Sequence, residues 1–271
     1  MIDQPNATDR ILRFVLWSSV AVLTVIGIAA AIGRTVSVAS GGLALDQIRR
    51  LLPAERVREV YQFDRWFLAH PLLTYLHVVI GGVFLAIAPF QFSSRIRSRH
   101  LQFHRWSGRL LVAVAVPMAI SGLALGSLFP FGGPIATSAV FGAGIFFLFA
   151  LIRAVIAIRR RDIAHHREWM MRMFAVALGI ATVRVVGLVL TAVTGESFQE
   201  LAGISFWSGW VLTLGTAELW IRRTRKKVSS FEFRVQADRK TSPIMVSLQP
   251  SPKKLETRNP KLETVFIDAG E

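Results

Sequence analysis

Two residues in this chain carry chemistry where apolar stretches leave no obvious room for it. Arg184 sits inside "MRMFAVALGIATVRVVGLVL" (Met171–Leu190) and His77 inside "LLTYLHVVIGGVFL" (Leu72–Leu85). If those stretches cross a membrane, an arginine near mid-span costs about 2.5–3.5 kcal/mol on insertion and cannot easily reach an interface. It must face other helices or a cavity. Its own helical stripe agrees: Ala181, Ala177, Met173, Met170 and His166 precede it, and Gly187 and Thr191 follow. Small residues on that stripe let a neighbouring helix approach closely. The preceding apolar stretch offers His70, Thr74, His77 and Gly81 on one face. Counted from the expected inner ends, His77 is 15 residues above Phe92 and Arg184 is 16 above Glu168. At 1.5 Å per residue both stand roughly 22–24 Å up, at one level. No acid in the expected spans neutralises Arg184 at that depth, because Glu218 falls near an inner end. Arg184 and His77 are therefore expected to line a pocket for an anionic or carbonyl-bearing group, such as a quinone head, a fatty-acid carboxylate or a haem propionate. The plainer alternative is a structural pin, with Arg184 bonding carbonyls near Gly81–Gly82 and His77 bonding a neighbouring carbonyl.

A second pair of histidines opens two apolar stretches. "RHLQFHRWSGR" (Arg99–Arg109) places His104 ahead of one, and "DIAHHREWMMR" (Asp162–Arg172) places His166 ahead of another. A six-coordinate b haem needs two histidines at equal depth on facing helices. His104 and His166 meet that requirement near the inner surface, with Arg105, Arg109, Arg167 and Arg172 available to propionates as charge-assisted donors. They are the metal-ligand candidates of the sequence. Only one such haem can be drawn, since the fourth and sixth spans hold no histidine. Tryptophan and arginine at this position are also what any helix anchor requires at a headgroup surface. His100 and His104 are spaced for zinc, yet no acid or cysteine lies near to complete a tetrahedral set. His165 points about 100° away from His166, so the two do not serve one ligand.

Composition requires the elements that position these residues to be membrane helices. The chain is 52% hydrophobic and only 18% charged, with mean hydropathy +0.47. From Leu110 to Ile152 no residue is charged. A helix needs about 20 apolar residues to cross a hydrocarbon core of about 30 Å, and backbone groups in lipid must satisfy one another. Six spans are expected: Ile11–Gly33, Phe67–Phe92, Trp106–Leu128, Ile135–Ile158, Met170–Val193 and Leu201–Ile221. "FPFGGP" (Phe129–Pro134) and "TGESFQE" (Thr194–Glu200) read as tight turns between them. The fold class expected is an all-α integral membrane protein of six transmembrane helices, with spans two to five as an inner four-helix bundle. Gly122 and Gly126, one turn apart, offer a close-approach face for the bundle or for a dimer, the bundle being the preferred reading.

The net charge of +15 is placed for topology rather than for nucleic acid. Arg95, Arg97, Arg99, Arg105 and Arg109 gather between spans two and three, and Arg159, Arg160, Arg161 and Arg167 between spans four and five. The turns on the opposite side carry no basic residue. Cytoplasmic loops collect lysine and arginine, so both termini are expected in the cytosol and the protein in the inner (plasma) membrane. The organisation expected is a short cytosolic N-terminus (1–10), a transmembrane domain (11–221) and a basic, structureless cytosolic tail (222–271). Within the domain, an external linker (34–66) carries a surface helix with Leu43, Ile48, Leu51 and Leu52. The first span is too long for a typical secretory core and lacks a basic leader, so it is expected to be retained; "SVAS" (Ser37–Ser40) leaves cleavage open. With no cysteine, disulfides, cysteine-held iron–sulfur clusters and covalent c-type haem are excluded.

"LHVVIGGVFLAIAPFQFSSRIR" (Leu76–Arg97), "HRWSGRLL" (His104–Leu111) and "HREWMMRMFAVALGIATVRV" (His166–Val185), in that order, resemble a family of predicted bacterial membrane proteins. The family is known as domain of unknown function 2306. The resemblance covers Pro71 to Val189 and implies an integral membrane protein; it brings no activity with it. At the level of architecture alone, the chain is also similar to the two-haem b-type membrane cytochromes. Three readings stand: a membrane redox protein with one b haem or a bound quinone, a transporter or lipid/anion-binding protein using the Arg184–His77 pocket, and a non-catalytic membrane scaffold. Neither a Ser–His–Asp constellation nor a phosphate loop is present, which disfavours a hydrolase or an ATP-driven machine.

Overall fold

A computed structural model of the chain describes residues 7–42 and 64–241, with side chains as far as residue 225 except that of Ser94. The described residues are helical throughout, without a strand: α1 (Ala7–Ala39), a short helix at 64–69, α2 (Pro71–Gln91), α3 (Ser94–Arg99), α4 (Leu101–Leu128), α5 (Gly133–Arg159), α6 (Ile163–Thr194) and α7 (Phe198–Thr241). Five of these, α1, α2, α4, α5 and α6, are long and apolar enough to cross a membrane. The sixth expected span, Leu201–Ile221, lies within α7, which is not among the five. Its apolar residues are diluted by Gly203, Ser205, Ser208, Gly209, Gly215 and Glu218.

Local chemistry sets the helix ends. Pro71, whose missing N–H would be unsatisfied in any case, opens α2. At the other end Arg97 Nη1 donates to the Phe92 carbonyl at 3.1 Å and to that of Gln91 at 3.4 Å, covering acceptors left over at a helix terminus. Asp162 caps α6 by accepting the His165 N–H at 3.1 Å. Gly195, at φ +78°, ends the same helix in the left-handed conformation that favours glycine, and its N–H returns to the Thr191 carbonyl.

α1 and α7 run well past their expected C-terminal ends. α1 continues past Gly33 to Ala39, since Arg34 finds an acidic partner that lets it remain on the helix. α7 continues past Ile221 to Thr241, where a structureless tail was expected. No glycine or proline interrupts the chain between Gly215 and Pro243, and the helix stops just ahead of that proline. The chain divides into two compact units at Arg222/Arg223; in the second, residues 223–241 are helical. The surface helix expected around Leu43–Leu52 lies outside the described residues.

In the first unit α5 packs along α6, α2 along α4, and α1 along α2; α4 also meets α5, and α6 meets both α1 and α2. Phe84, Leu111, Met118, Phe147, Ala150 and Met173 are the centre of the core. Half of the most apolar stretch of α6 is buried but only 11% of that of α1, so α6 is central and α1 peripheral. Large apolar side chains turned outward, such as Phe14, Val25, Ile120, Ile145 and Leu188, match a lipid surroundings rather than water. Small residues bring the helices together. A Cβ on Gly209 of α7 would stand 2.8 Å from the Val183 backbone nitrogen, and Trp210 Nε1 donates to the Val176 carbonyl at 3.1 Å. Those contacts seat α7 against α6.

Candidate functional site

A cavity of about 290 Å³ lies among α1, α2, α4, α5, α6 and α7. It exists because five of these walls offer small residues: Gly27 and Ala31 on α1, Gly81 on α2, Gly122 on α4, Gly144 on α5 and Ala177 on α6. Aromatic rings, among them Phe84, Phe147, Phe206 and Trp210, complete an otherwise apolar lining. Arg184, His77 and Arg34 also line it. Arg184 and His77, separated by 107 positions in sequence (184 − 77), are thus brought to one space.

Each of the three polar groups is held differently. His77 Nδ1 lies 2.9 Å from the Met118 carbonyl. A carbonyl only accepts, so Nδ1 carries the proton and Nε2 of the neutral ring keeps a lone pair. The ring rests on Gly122, where a Cβ would meet its Cε1 at 2.6 Å. Arg184 has the atoms of neighbouring helices around it, but its side chain is exposed to open space. Nη1 donates to the Ile180 carbonyl at 2.9 Å, one turn back on its own helix. No ion pair is made by Arg184 among the described residues. Its charge acts on both Arg34 and His77. Arg34, by contrast, is ion-paired to Asp64, which is only 2% exposed. Asp64 also accepts the Ser37 hydroxyl at 2.8 Å, and the Arg34 guanidinium lies over the Phe67 ring at 4.3 Å.

A second hollow of about 340 Å³, lined by Arg65, Trp66, Phe129, Pro130, Phe131 and Gln199, shares Phe129 and Phe131 with the first. Those rings pack against Trp66, Phe67 and Phe198, tilted or edge-on. An aromatic wall therefore stands between the two spaces.

The residues expected around a haem are placed as follows. His166 Nδ1 meets the Ala154 carbonyl at 2.9 Å, leaving Nε2 uncommitted. His104 is half-buried, and its Nδ1 is buried without a hydrogen-bond partner. The two histidines lie within electrostatic reach of each other. Arg105 is exposed beside His104, and Arg167 shares its surroundings with Arg97, Glu168 and Arg13. Arg172 is committed elsewhere: it forms a two-bond pair with Glu218 of α7, lies 3.8 Å from Glu168 and stacks over Trp169 at 4.6 Å. Among the described residues no group of three or more histidines and carboxylates gathers as a metal cage.

The Arg34–Asp64–Ser37 cluster had no reading in the sequence beyond a mixed-charge linker. The available signal was the charges themselves: Arg34 lies near the end of α1 and Asp64 opens the short helix at 64–69, so opposite charges there can be neighbours.

A bundle of apolar helices around a largely apolar cavity with a few convergent polar groups defines a helical, multi-pass membrane protein. The chain belongs to the family described as predicted membrane protein (DUF2306), whose model matches residues 74–221. That stretch contains His77, His104, His166 and Arg184 and leaves out Arg34 and Asp64. No curated protein and no solved structure matches the chain.

Proposed function

We propose that this protein binds an amphiphile, holding its anionic or carbonyl head between Arg184 and His77. One observation carries the reading: an arginine whose described partners include no acid opens into a 290 Å³ apolar cavity that it shares with a histidine. Arg184 offers a planar fork of donors to carboxylate or carbonyl oxygens, while the His77 lone pair accepts from a hydroxyl. A quinone head and a lipid-like anion both fit that description. Transport or carriage of such a molecule follows from a site at this depth more readily than bond-breaking chemistry does. α7 serves as the sixth span, both termini lie in the cytosol and the bilayer is the inner (plasma) membrane. Reporter fusions within Ser93–Arg99 should then read cytosolic and fusions at Gly132 or Ser197 external; the reverse would overturn the depth argument.

The test is Arg184→Met. In the purified protein it should leave folding intact, remove binding of a quinone or fatty acid, and hold or raise the ligand-free melting temperature, because an uncompensated charge leaves a low-dielectric site. A large drop in the ligand-free melt would make Arg184 a structural pin and end the proposal.

A second reading, one b haem held by His104 and His166, is favoured by the His166 ring alone. Its Nδ1 bond to a carbonyl orients Nε2 as metal-binding histidines are oriented. Protein made with ample haem should then show a Soret band that His104→Ala and His166→Ala each abolish; a colourless, folded preparation after haem reconstitution would dismiss it.

A further inference from the structure

We infer that Asp64 sets the charge selectivity of the cavity, so that the ligand is a single-tailed amphiphile bearing one negative charge, with a carboxylate head. This rests on the proposed binding role of the Arg184–His77 cavity and narrows its ligand. The charges on each described element that walls the space can be counted. α1 contributes Arg34, α2 contributes His77, and α6 contributes Arg184; the lining residues of α4, α5 and α7 are all uncharged. Asp64, from the short helix at 64–69, pairs with Arg34 from behind the wall and cancels it. Arg65 is exposed and lines the other hollow, beyond Phe129 and Phe131. At pH 8 an ordinary histidine is neutral. Among the described residues the remainder is one positive charge, on Arg184.

That surplus distinguishes ligand classes. A neutral head leaves Arg184 uncompensated in an apolar cavity, and a dianion replaces a net positive charge by a net negative one. Only a monoanion brings the space to neutrality, which is the state a low-dielectric site favours most strongly. The planar guanidinium matches a planar carboxylate with two parallel bonds. The apolar remainder of the lining, Phe84, Phe147, Val176 and Trp210 among it, accepts a hydrocarbon chain. Asp64 makes this possible without touching the ligand. Its carboxylate is fixed by Ser37 as well as by Arg34, so it holds Arg34 and leaves Arg184 open.

The experiment measures equilibrium binding of radiolabelled dodecanoate and dodecyl phosphate to the full chain in detergent at pH 8, where a phosphate monoester is largely dianionic. Dodecanol serves as the neutral probe. The wild-type protein should bind dodecanoate on the order of tenfold or more tightly than either other probe. Asp64→Asn raises the surplus to two and should invert the preference toward dodecyl phosphate. Arg34→Gln lowers it to zero and should weaken dodecanoate about tenfold or more. Arg34→Gln combined with Asp64→Asn restores a surplus of one and should restore the wild-type order. Should Asp64→Asn fail to fold, the Arg34→Gln and double variants carry the same decision. Unchanged preferences in variants that still bind dodecanoate, and lose it on Arg184→Met, would overturn the role of Asp64 while sparing the cavity. Absence of binding of all three probes by the wild type, or binding indifferent to Arg184→Met, would overturn both.

Discussion

Gly122 is where the geometry of the cavity can be tested most sharply, because the sign of one substitution should depend on a second residue. In an ordinary helix interior, Gly→Ala gains about 1 kcal/mol. At Gly122 the added Cβ would stand 2.6 Å from Cε1 and 2.8 Å from Nδ1 of the His77 ring. Real contacts of that kind are not tolerated, so the ring must move. It cannot move without stretching its 2.9 Å bond to the Met118 carbonyl, which sits one turn before Gly122 on the same helix. Overpacking of this kind costs about 1–3 kcal/mol and the displaced hydrogen bond about 1 kcal/mol. Set against the helix-propensity gain, Gly122→Ala should destabilise by about 1–3 kcal/mol. In a His77→Ala background the ring is absent, and the same substitution should stabilise by about 0.5–1 kcal/mol. The coupling between the two positions is then on the order of 2–3 kcal/mol. Equilibrium unfolding of the four proteins in mixed micelles measures it, with Gly33→Ala as a reference for propensity alone, since nothing lies within 4 Å of a Cβ there. Equal costs of Gly122→Ala in both backgrounds would refute the placement of His77 on Gly122.

Gly209→Ala should cost about 2 kcal/mol or more, because its Cβ would press on the backbone of Val183 and backbone cannot turn aside; loss of α7 seating would appear as easier proteolysis of α7. Arg184→Lys should recover dodecanoate binding only in part, as an ammonium cannot form two parallel bonds to a carboxylate; full recovery in the binding assay would show that charge alone suffices. At the start of α6, Asp162 has its carboxyl held below the ordinary range, first by the His165 backbone N–H and also by the His165 side chain. A lowered carboxylate stabilises above its unfolded value and loses that contribution as the pH falls through the folded one. Acid titration of stability should therefore show a component that Asp162→Asn removes, and an unchanged acid limb would contradict it.

Arg184 and His77 were legible because charge and ring nitrogen stand out within apolar runs, and helical rise converts their positions into depth. Both line one cavity, although nothing in the spacing told of the cavity itself. Its volume comes from small residues contributed by five helices, and a single sequence shows such residues one helix at a time. Gly122 was legible as a close-approach position, but its neighbour was not, for a glycine does not name the group that fills its place. Arg34 and Asp64 were hidden for the opposite reason. Mixed charges in a linker are the ordinary appearance of a surface, and burial of Asp64 depends on α1 and α2 being neighbours. The length of α7 was not legible because a run of lysine and arginine lowers hydropathy without necessarily breaking a helix, and no glycine or proline follows Gly215 before Pro243.

The two arginines near the cavity show why an isolated charge and a paired one carry different information. Arg34 is expensive to bury, and the chain meets that cost internally with Asp64, Ser37 and the face of Phe67. Such a group holds structure and asks nothing of a ligand. Arg184 is more open, and among the described residues it donates to one backbone carbonyl of its own helix. A carbonyl dipole offsets only part of a full charge. The small residues around it leave space where a counter-ion or a strong dipole would sit. A chain that needed Arg184 only for cohesion would place an acid or several carbonyls there, as it does for Arg172 with Glu218 and Glu168. Cohesion accounts for Arg34 and Arg172, and among the described residues no acid meets the charge of Arg184.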